Sequence, residues 1–399
     1  MSKPKVFEKP TGVKDYLPEA VAKLRTIETN VLNCMERWGY SEIITPTLEF
    51  YDTVGVASST EDRKLFKLLD RNGTTLVMRS DMTAPIARVV SSLLKQQPFP
   101  IRLSYHANIF RAIEAEAGRD AEFFQTGVEL VGDASSESDA EVIALAIASL
   151  QAAGVKDFKI ALGHVGFLTG LFNETLQERK DEQQSLKQCL LNRDYVGYRE
   201  NIKALGLSED LQKELEGILR LRGGEEICTQ ARLVTQDPVA QQSIAHLCQV
   251  WDVLKAYGVS EHVLIDLTMI GDFSYYTGMT FEGYAADLGF PVCSGGRYDN
   301  LLTQFGRPAP ATGFALKTNR ILEVISKRPT ESSFRVLIAY KAAGREDAFR
   351  MAKELRMREG TKVETRLLSE DEGKLAAVRL DDDTFVVNGV SYGDVIEFD

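Results

Sequence analysis

Four short stretches carry residue types that could do chemistry together. The first is Met78-Arg79-Ser80-Asp81-Met82-Thr83, where a carboxylate and a hydroxyl two residues on stand between a strand-like segment and a helix-like one. Such a pair at the end of a strand can hold an ammonium group by charge-assisted hydrogen bonds; Asp81 or Ser80 can equally cap the following helix. The second runs from Phe110-Arg111 to Gly118-Arg119 and on to Glu122-Phe123-Phe124-Gln125-Thr126-Gly127-Val128-Glu129. Two arginines flanking a loop between antiparallel strands can clamp a phosphate or carboxylate bidentately. Period-two spacing puts Phe123, Gln125, Gly127 and Glu129 on one strand face, an odd composition for a core; the plainer reading is a solvated face with surface arginines. The third stretch is Asp272 with Tyr275-Tyr276-Thr277-Gly278, and the fourth is Ser294-Gly295-Gly296-Arg297-Tyr298-Asp299. Glycines allow a backbone to approach a ligand closely, and they also make ordinary turns.

These stretches sit in a chain of 399 residues, 44% apolar and 26% charged. That length predicts one large domain with one or two small ones, and the composition suits a packed core rather than disorder. A net charge of -11 argues against an extended nucleic-acid surface, which relies on clustered Lys and Arg. Cys34, Cys189, Cys228, Cys248 and Cys293 are widely spaced and form no CxxC, so they read as free core thiols. His106, His164, His246 and His262 are as scattered and read as structural, with no metal site expected. The first twelve residues hold no apolar run for a signal peptide, and no stretch approaches the ~20 apolar residues of a membrane span. A cytoplasmic location away from membranes is the expectation.

Periodicity supplies the elements that would position the motifs. Ala22, Leu24, Ile27, Val31, Leu32 and Met35 recur at helical spacing and predict a helix over 18–38 that stops at Gly39. Strands are predicted at 40–44 and 76–78, with Arg71-Asn72-Gly73 as the hairpin turn leading into the second, then a helix over 81–95. The segment 101–132 reads as strand, polar loop from Arg111 to Arg119, and strand. A helix follows at 138–153 and a strand at 158–162. From 166 to 256 the pattern is almost wholly helical, an insertion into a chain that otherwise mixes strands and helices. Strands resume at 263–267 and 279–284, and the glycine cluster at 294–299 precedes another helix. The linker 326–333 leads to a small α/β module over 334–399: strand 335–340, helix 346–358, strand 362–367, and a hairpin around Asn388-Gly389. The expected organisation is a core of 1–165 and 257–326, a helical insertion at 166–256, and the C-terminal module.

Taken in order, the pieces resemble the class II aminoacyl-tRNA synthetases, and among them the histidyl enzyme. The resemblance covers about residues 8–325. It rests on PTGVKDYLP, RWGYSEIITPTLE (the dimer-forming first motif), MRSDMT, FR with GR and EFFQTGVELVG (the second motif), SYYTGMTFE, SGGRYDNLL and GFALKTNRIL (the third motif). It implies an α+β fold, an antiparallel sheet flanked by helices, with the helical insertion and a shortened anticodon-binding-like module behind. In that family the site activates histidine with ATP. Carried over, Asp81, Thr83, Arg111, Gln125, Glu129, Tyr275 and Tyr276 would hold histidine, Asp81 standing where the family usually has glutamate. Arg119, Phe123 and Arg320, together with Arg111, would be the remnant of the nucleotide clamp and its stacking ring.

Several positions depart from the synthetase pattern. Gly271 stands where an arginine stabilises charge on the reacting carboxylate and phosphate, a loss worth several kcal/mol of transition-state stabilisation by general experience with such groups. Ile113 replaces the glutamate of Phe-Arg-x-Glu, unless a slip brings Glu114 there at the cost of the spacing to Gly118. Ala121 replaces an arginine, Lys317 the glycine against which ATP packs, and Asn319 a glutamate. ATP activation and tRNA recognition are therefore not expected, and no catalytic residue, metal or cofactor is implied. This set of losses resembles the regulatory subunits that accompany the short form of ATP phosphoribosyltransferase. That resemblance implies a homodimer within a hetero-oligomer, the short-form catalytic subunit as partner, and L-histidine as effector. An active histidyl-tRNA synthetase, or a histidine-sensing module for another partner, is the alternative.

Overall fold

The computed structural model describes residues 8–58, 60–112, 120–177, 179–270, 275–286, 288–325, 334–369, 375, 377–379 and 384–399. The chain divides into two compact units, Met1–Lys327 and Arg328–Asp399.

The first unit opens with α1 (Pro18–Arg37), which buries Leu24, Ile27, Val31, Cys34 and Met35 along one stripe. Gly39, at φ +84°, takes the left-handed position that ends it. Then come β1 (Ser41–Glu42), β2 (Leu48–Phe50), β3 (Lys67–Leu69), β4 (Thr75–Met78) and α2 (Thr83–Ser92). Two ten-residue strands follow, β5 (Ile101–Phe110) and β6 (Glu122–Val131), then α3 (Ser136–Ala152) and β7 (Phe158–His164). The helical stretch holds α4 (Val165–Leu176), α5 (Lys180–Leu191), α6 (Tyr195–Ala204), α7 (Glu209–Gly217), β8 (Arg222–Gly223), α8 (Glu226–Ala231) and α9 (Pro238–Ala256). The unit closes with β9 (Val263–Asp266), β10 (Met279–Ala285), β11 (Cys293–Arg297), β12 (Ala311–Lys317) and α10 (Thr318–Ile325).

Nine of these strands form one sheet in the order β1-β5-β6-β12-β11-β10-β7-β9-β8. Its six central strands run antiparallel to their neighbours, and parallel pairs occur only toward the margins, at β1–β5 and β7–β9. The two faces bury different cores. The larger core joins Val128 and Leu130 of β6 to α1, α3, α4 and α9. The smaller gathers Leu103, Tyr105 and Ile109 of β5 with Ile86 of α2 and with Tyr298 and Leu301. The cross-strand register sets what lies on this second face. Tyr105 pairs with Gly127, Gly127 with Ala315, Glu129 with Gly313, and Gly313 with Gly296. Small residues on three adjacent strands thus leave a hollow over the sheet that a row of larger side chains would fill.

Five expectations change. The Arg71-Gly73 turn joins β3 to β4, not the strand near residue 41, and these pair with β2 in a separate sheet. The glycines of SGGRYD lie within β11, because only a side-chain-free strand fits there: a Cβ on Gly295 would stand 2.4 Å from the Gly313 carbonyl oxygen. The helix after them is a short 3-10 turn, Leu301–Phe305. The helical stretch also supplies an edge strand, β8, to the main sheet. Nor are all five cysteines core thiols, since Cys189, Cys228 and Cys248 are partly exposed. Among the described residues no helix is long and apolar enough to cross a membrane.

The second unit contains β13 (Phe334–Tyr340), α11 (Arg345–Arg356), β14 (Thr361–Leu367), β15 (Val378–Arg379), β16 (Phe385–Val387), β17 (Val390–Tyr392) and β18 (Asp394–Phe398). β13 pairs in parallel with β14 and β18. The turn between β16 and β17 puts Asn388 at φ +50° and Gly389 at φ +79°, the two left-handed residues that a tight primed hairpin turn requires. The expected linker 326–333 lies outside the described residues.

Within the first unit, β11 is fastened to the helical layer by Arg297. Its Nε donates to Asp139 Oδ2 (2.9 Å), and its terminal nitrogens donate to the Asp133 carbonyl, Ser138 Oγ and Asp299 Oδ1. His246 Nε2 lies 3.2 Å from the same Asp139 oxygen. Burial pushes the Asp139 carboxyl up, but His246 and Arg297 together hold it below the usual carboxylate range. Replacing Arg297 by Met strands a fully buried carboxylate with His246 alone, so the unfolding free energy measured in urea should fall by about 3–5 kcal/mol. Arg297→Lys, which keeps the charge and loses the fork, should lose less.

Candidate functional site

The hollow on the second face is a cavity of about 60 Å³, room for several waters at the ~10–15 Å³ that each requires. Asp81, Thr83, Arg111, Gln125, Glu129, Tyr275 and Tyr276 all line it. Four elements or their ends deliver them: the turn into α2, the end of β5, the β6 face, and the segment before β10. Phe123 and Arg320, predicted for the nucleotide side, are not among the lining residues. Phe123 lies beneath the Arg111 guanidinium at 5.6 Å. Arg320 donates to the Pro291 carbonyl (2.7 Å) and covers the Phe290 ring at 5.1 Å. Arg119, Ile113, Glu114, Gly118, Gly271 and Asp272 lie outside the described residues.

Glu129 is the centre of the polar wall. Thr83 Oγ1 donates to its Oε1 at 2.8 Å, Tyr298 OH donates to its Oε2, and Tyr275 OH donates to Thr83 Oγ1 at 3.5 Å. Gly313 has no alternative here, since a Cβ on it would sit 2.0 Å from Glu129 Oε2. The carboxyl is 2% exposed, and burial pushes it up to about 8, with the Asp81 charge adding to the rise and the two hydroxyl donors opposing it. Below that pH Glu129 is therefore mostly neutral, until a cation arrives to share the cavity.

The capping reading of MRSDMT holds. Asp81 Oδ1 accepts from the Ala84 N–H (3.0 Å), capping the start of α2, while Ser58 Oγ donates to Oδ2. Arg79 faces away from the cavity and donates to the carbonyls of Asn108 and Thr45, each at 2.8 Å. Arg111 is aimed by a bond from its Nε to the Ser80 carbonyl (2.8 Å) and by the Phe123 ring. Lys317 lines the cavity from β12, paired in register with Gln125. Asn319 instead serves the fold, accepting from the Phe124 N–H (2.9 Å) and donating to Tyr16 OH (2.6 Å).

Sequence reasoning missed Tyr105, Tyr298 and Glu282 as members of this wall. Tyr298 had a signal in its SGGRYD motif, whereas Tyr105 had none, because its place opposite Gly127 depends on strand register. Glu282 accepts from Tyr284 OH and lies 3.7 Å from Arg193 of the helical stretch.

An antiparallel sheet carrying a polar cavity, with a helical layer behind, defines a protein of the class II aminoacyl-tRNA synthetase type. The histidyl-tRNA synthetase family model matches residues 12–321. Histidyl-tRNA synthetase from Nostoc sp. PCC 7120 shares the fold at a TM-score of 0.79 and 18% identity, over 97% of this chain and 96% of that one. A solved structure from Bacillus halodurans, described as an ATP phosphoribosyltransferase regulatory subunit/histidyl-tRNA synthetase, matches at a TM-score of 0.88 and 41% identity, over 100% of both chains. The ATP phosphoribosyltransferase regulatory subunit of Bacillus licheniformis is 46% identical over 359 residues, 90% of this chain and 91% of that relative. The chain belongs to the family of ATP phosphoribosyltransferase regulatory subunits.

The buried carboxyl makes stability depend on pH. Its folded pKa of about 8 lies above the unfolded value of 4.5, so its contribution is fully present below pH ~4.5 and is lost as pH rises through ~8. Unfolding free energies measured from pH 5 to 9 should fall, relative to Glu129→Gln, by about 4 kcal/mol. Parallel curves for the two proteins would show that Glu129 is ionised throughout.

Proposed function

We propose that this chain is the non-catalytic regulatory subunit of ATP phosphoribosyltransferase, acting in the cytoplasm at the first step of L-histidine biosynthesis, the conversion of ATP and PRPP to phosphoribosyl-ATP. It activates a short-form catalytic subunit and carries the histidine signal to it. One observation carries the reading: the seven residues expected to hold a small zwitterion line a single cavity, and a lysine stands where the synthetase pattern needs a glycine for ATP.

In this reading Asp81, Thr83 and Glu129 take the cationic groups of histidine, Gln125 with Tyr275 and Tyr276 close around the side chain, and Arg111 faces the carboxylate. The remaining cation, Lys317, gives the carboxylate a second partner and denies the slot to a nucleotide. Regulation then requires that histidine bind one state of the complex better than another, since equal affinity shifts nothing. Aminoacylation is not part of the function, and purified protein should give no pyrophosphate exchange with histidine and ATP.

The homodimer forms through the sheet of β2, β4 and β3. Leu48, Met78 and Phe66 make one cross-strand row on its face, and Phe50, Leu76 and Leu68 make the next. Four of the six are 37% to 56% exposed, a contiguous apolar face of the kind that marks a protein interface.

Mixed with the short-form catalytic subunit, the chain should restore phosphoribosyl-ATP formation, and histidine should suppress it; failure to activate would sink the reading. Lys317→Met should weaken histidine about tenfold to a hundredfold, the worth of one charge-assisted bond, and leave histidinol, which lacks the carboxylate, nearly unchanged in calorimetry. Phe50→Asp should convert dimer to monomer in sedimentation while the circular dichroism spectrum is kept.

A further inference from the structure

Three carboxylates line the cavity, and Glu282 is the one with no part in the histidine site. In register, one row of the floor runs from Glu282 of β10 through Ser294 of β11 and Ala315 of β12 to Gly127 of β6. Past Glu282 that row holds nothing longer than a serine, so the hollow opens onto this carboxylate. The other side of Glu282 faces the helical stretch. Tyr284 OH donates to Glu282 Oε2 and accepts from the Arg193 guanidinium. That guanidinium lies over the Tyr284 ring at 4.9 Å, with a nitrogen 3.7 Å from Glu282 Oε2. One carboxylate thus stands between the cavity and an arginine that is 59% exposed.

Arg193 belongs to the turn that joins α5 to α6. Among the described residues it is the one side chain from 180 to 204 with a polar contact to the sheet. Its backbone is unusual as well. Three described residues other than glycine have a positive φ: Asn388 is in the β16–β17 hairpin, and the other two, Gln177 (+46°) and Arg193 (+56°), bracket α5. Such a backbone persists only where its surroundings hold it. α5 therefore has a strained joint at each end, and its C-terminal joint is tethered to β10.

Resting on the reading that the cavity takes histidine, we propose that Glu282 is a further ligand-binding residue and reports occupancy to the helical stretch: a cationic group of the ligand draws its carboxylate from Tyr284 and Arg193 and frees the α5–α6 turn from the sheet. The carboxylate cannot serve both sides fully at once. Histidine therefore binds more tightly to the released state, and by linkage whatever holds Glu282 to the helical stretch opposes binding. Residues in contact with one another then act with opposite sign. Glu282 favours histidine, while Arg193 and Tyr284 restrain it.

The test is calorimetry of histidine with the full-length chain, alone and in complex with the short-form catalytic subunit. Glu282→Gln should weaken histidine about tenfold to a hundredfold, the worth of a charge-assisted bond. Arg193→Gln and Tyr284→Phe should tighten it about twofold to tenfold, the worth of one ordinary hydrogen bond. Residues that merely prop up the wall would weaken histidine in all three variants. Hydrogen exchange in peptides from 180–204 should speed up when histidine saturates the wild type, and in Arg193→Gln it should be fast without ligand and unmoved by it. Arg193 is mostly exposed and Tyr284→Phe keeps the ring, so both variants should fold, as melting curves would verify. Histidine binding unchanged or weakened in Arg193→Gln and Tyr284→Phe, or wild-type exchange over 180–204 indifferent to histidine, would overturn the proposal and leave the histidine site standing. No histidine binding to the wild type in either preparation would overturn the reading of the cavity, and the proposal with it.

Discussion

A carboxyl group sits on a central strand of the sheet with almost no water around it, and the elements nearby are arranged to tolerate it. Glu129 receives a hydroxyl from Thr83 at the start of α2 and another from Tyr298 just past β11. It also requires that the facing residue of β12 have no side chain at all. Three segments distant in sequence must therefore come into register around one group. Burying a carboxylate is costly, and the cost is lowered here by holding it largely protonated and by bonding both oxygens. An apolar residue would stabilise the same position better. In the proposed function the carboxyl serves recognition: an acid held neutral by burial becomes a carboxylate when a cationic ligand enters.

The same sheet face shows why recognition and catalysis can separate. Holding a zwitterion needs polar groups at fixed positions, and those groups belong to β6, to the α2 turn and to the segment before β10. Driving the reaction of a carboxylate with ATP needs more: a second set of cations on the nucleotide side and backbone exposed by glycine. Arg320 is held by the Pro291 carbonyl and the Phe290 ring, and Lys317 brings a long cationic side chain to the cavity from β12. In the proposed function these changes leave the amino-acid half of the site to bind histidine without ATP chemistry, which suits a protein that reports a concentration.

Much of this was legible from residues alone, for identifiable reasons. The two strands of the second motif begin and end where polar loop residues interrupt apolar alternation, and the observed bounds, Ile101–Phe110 and Glu122–Val131, follow that pattern. Asp81 and Thr83 announced themselves as polar residues between a strand and a helix, and the face of Phe123, Gln125, Gly127 and Glu129 followed from period two. The glycines of SGGRYD were harder: in a strand and in a turn they look alike, and only the proximity of the Gly313 carbonyl explains them. β8 was invisible because two residues carry no periodicity, and its pairing with β9 spans forty residues of helical sequence.

The sequence by itself determined the order of elements, the polar face of β6 and the identity of the charged groups, because these depend on local spacing and side-chain type. Only the tertiary structure decided which of them share a cavity. Register is a matter of long-range pairing, and it placed Tyr105 over Gly127, brought Gly313 beneath Glu129 and turned Tyr298 from a motif residue into a hydrogen-bond donor. The protonation of Glu129 was likewise beyond reach from the sequence, since a carboxyl is moved by the water it loses, and that loss is set by everything folded around it.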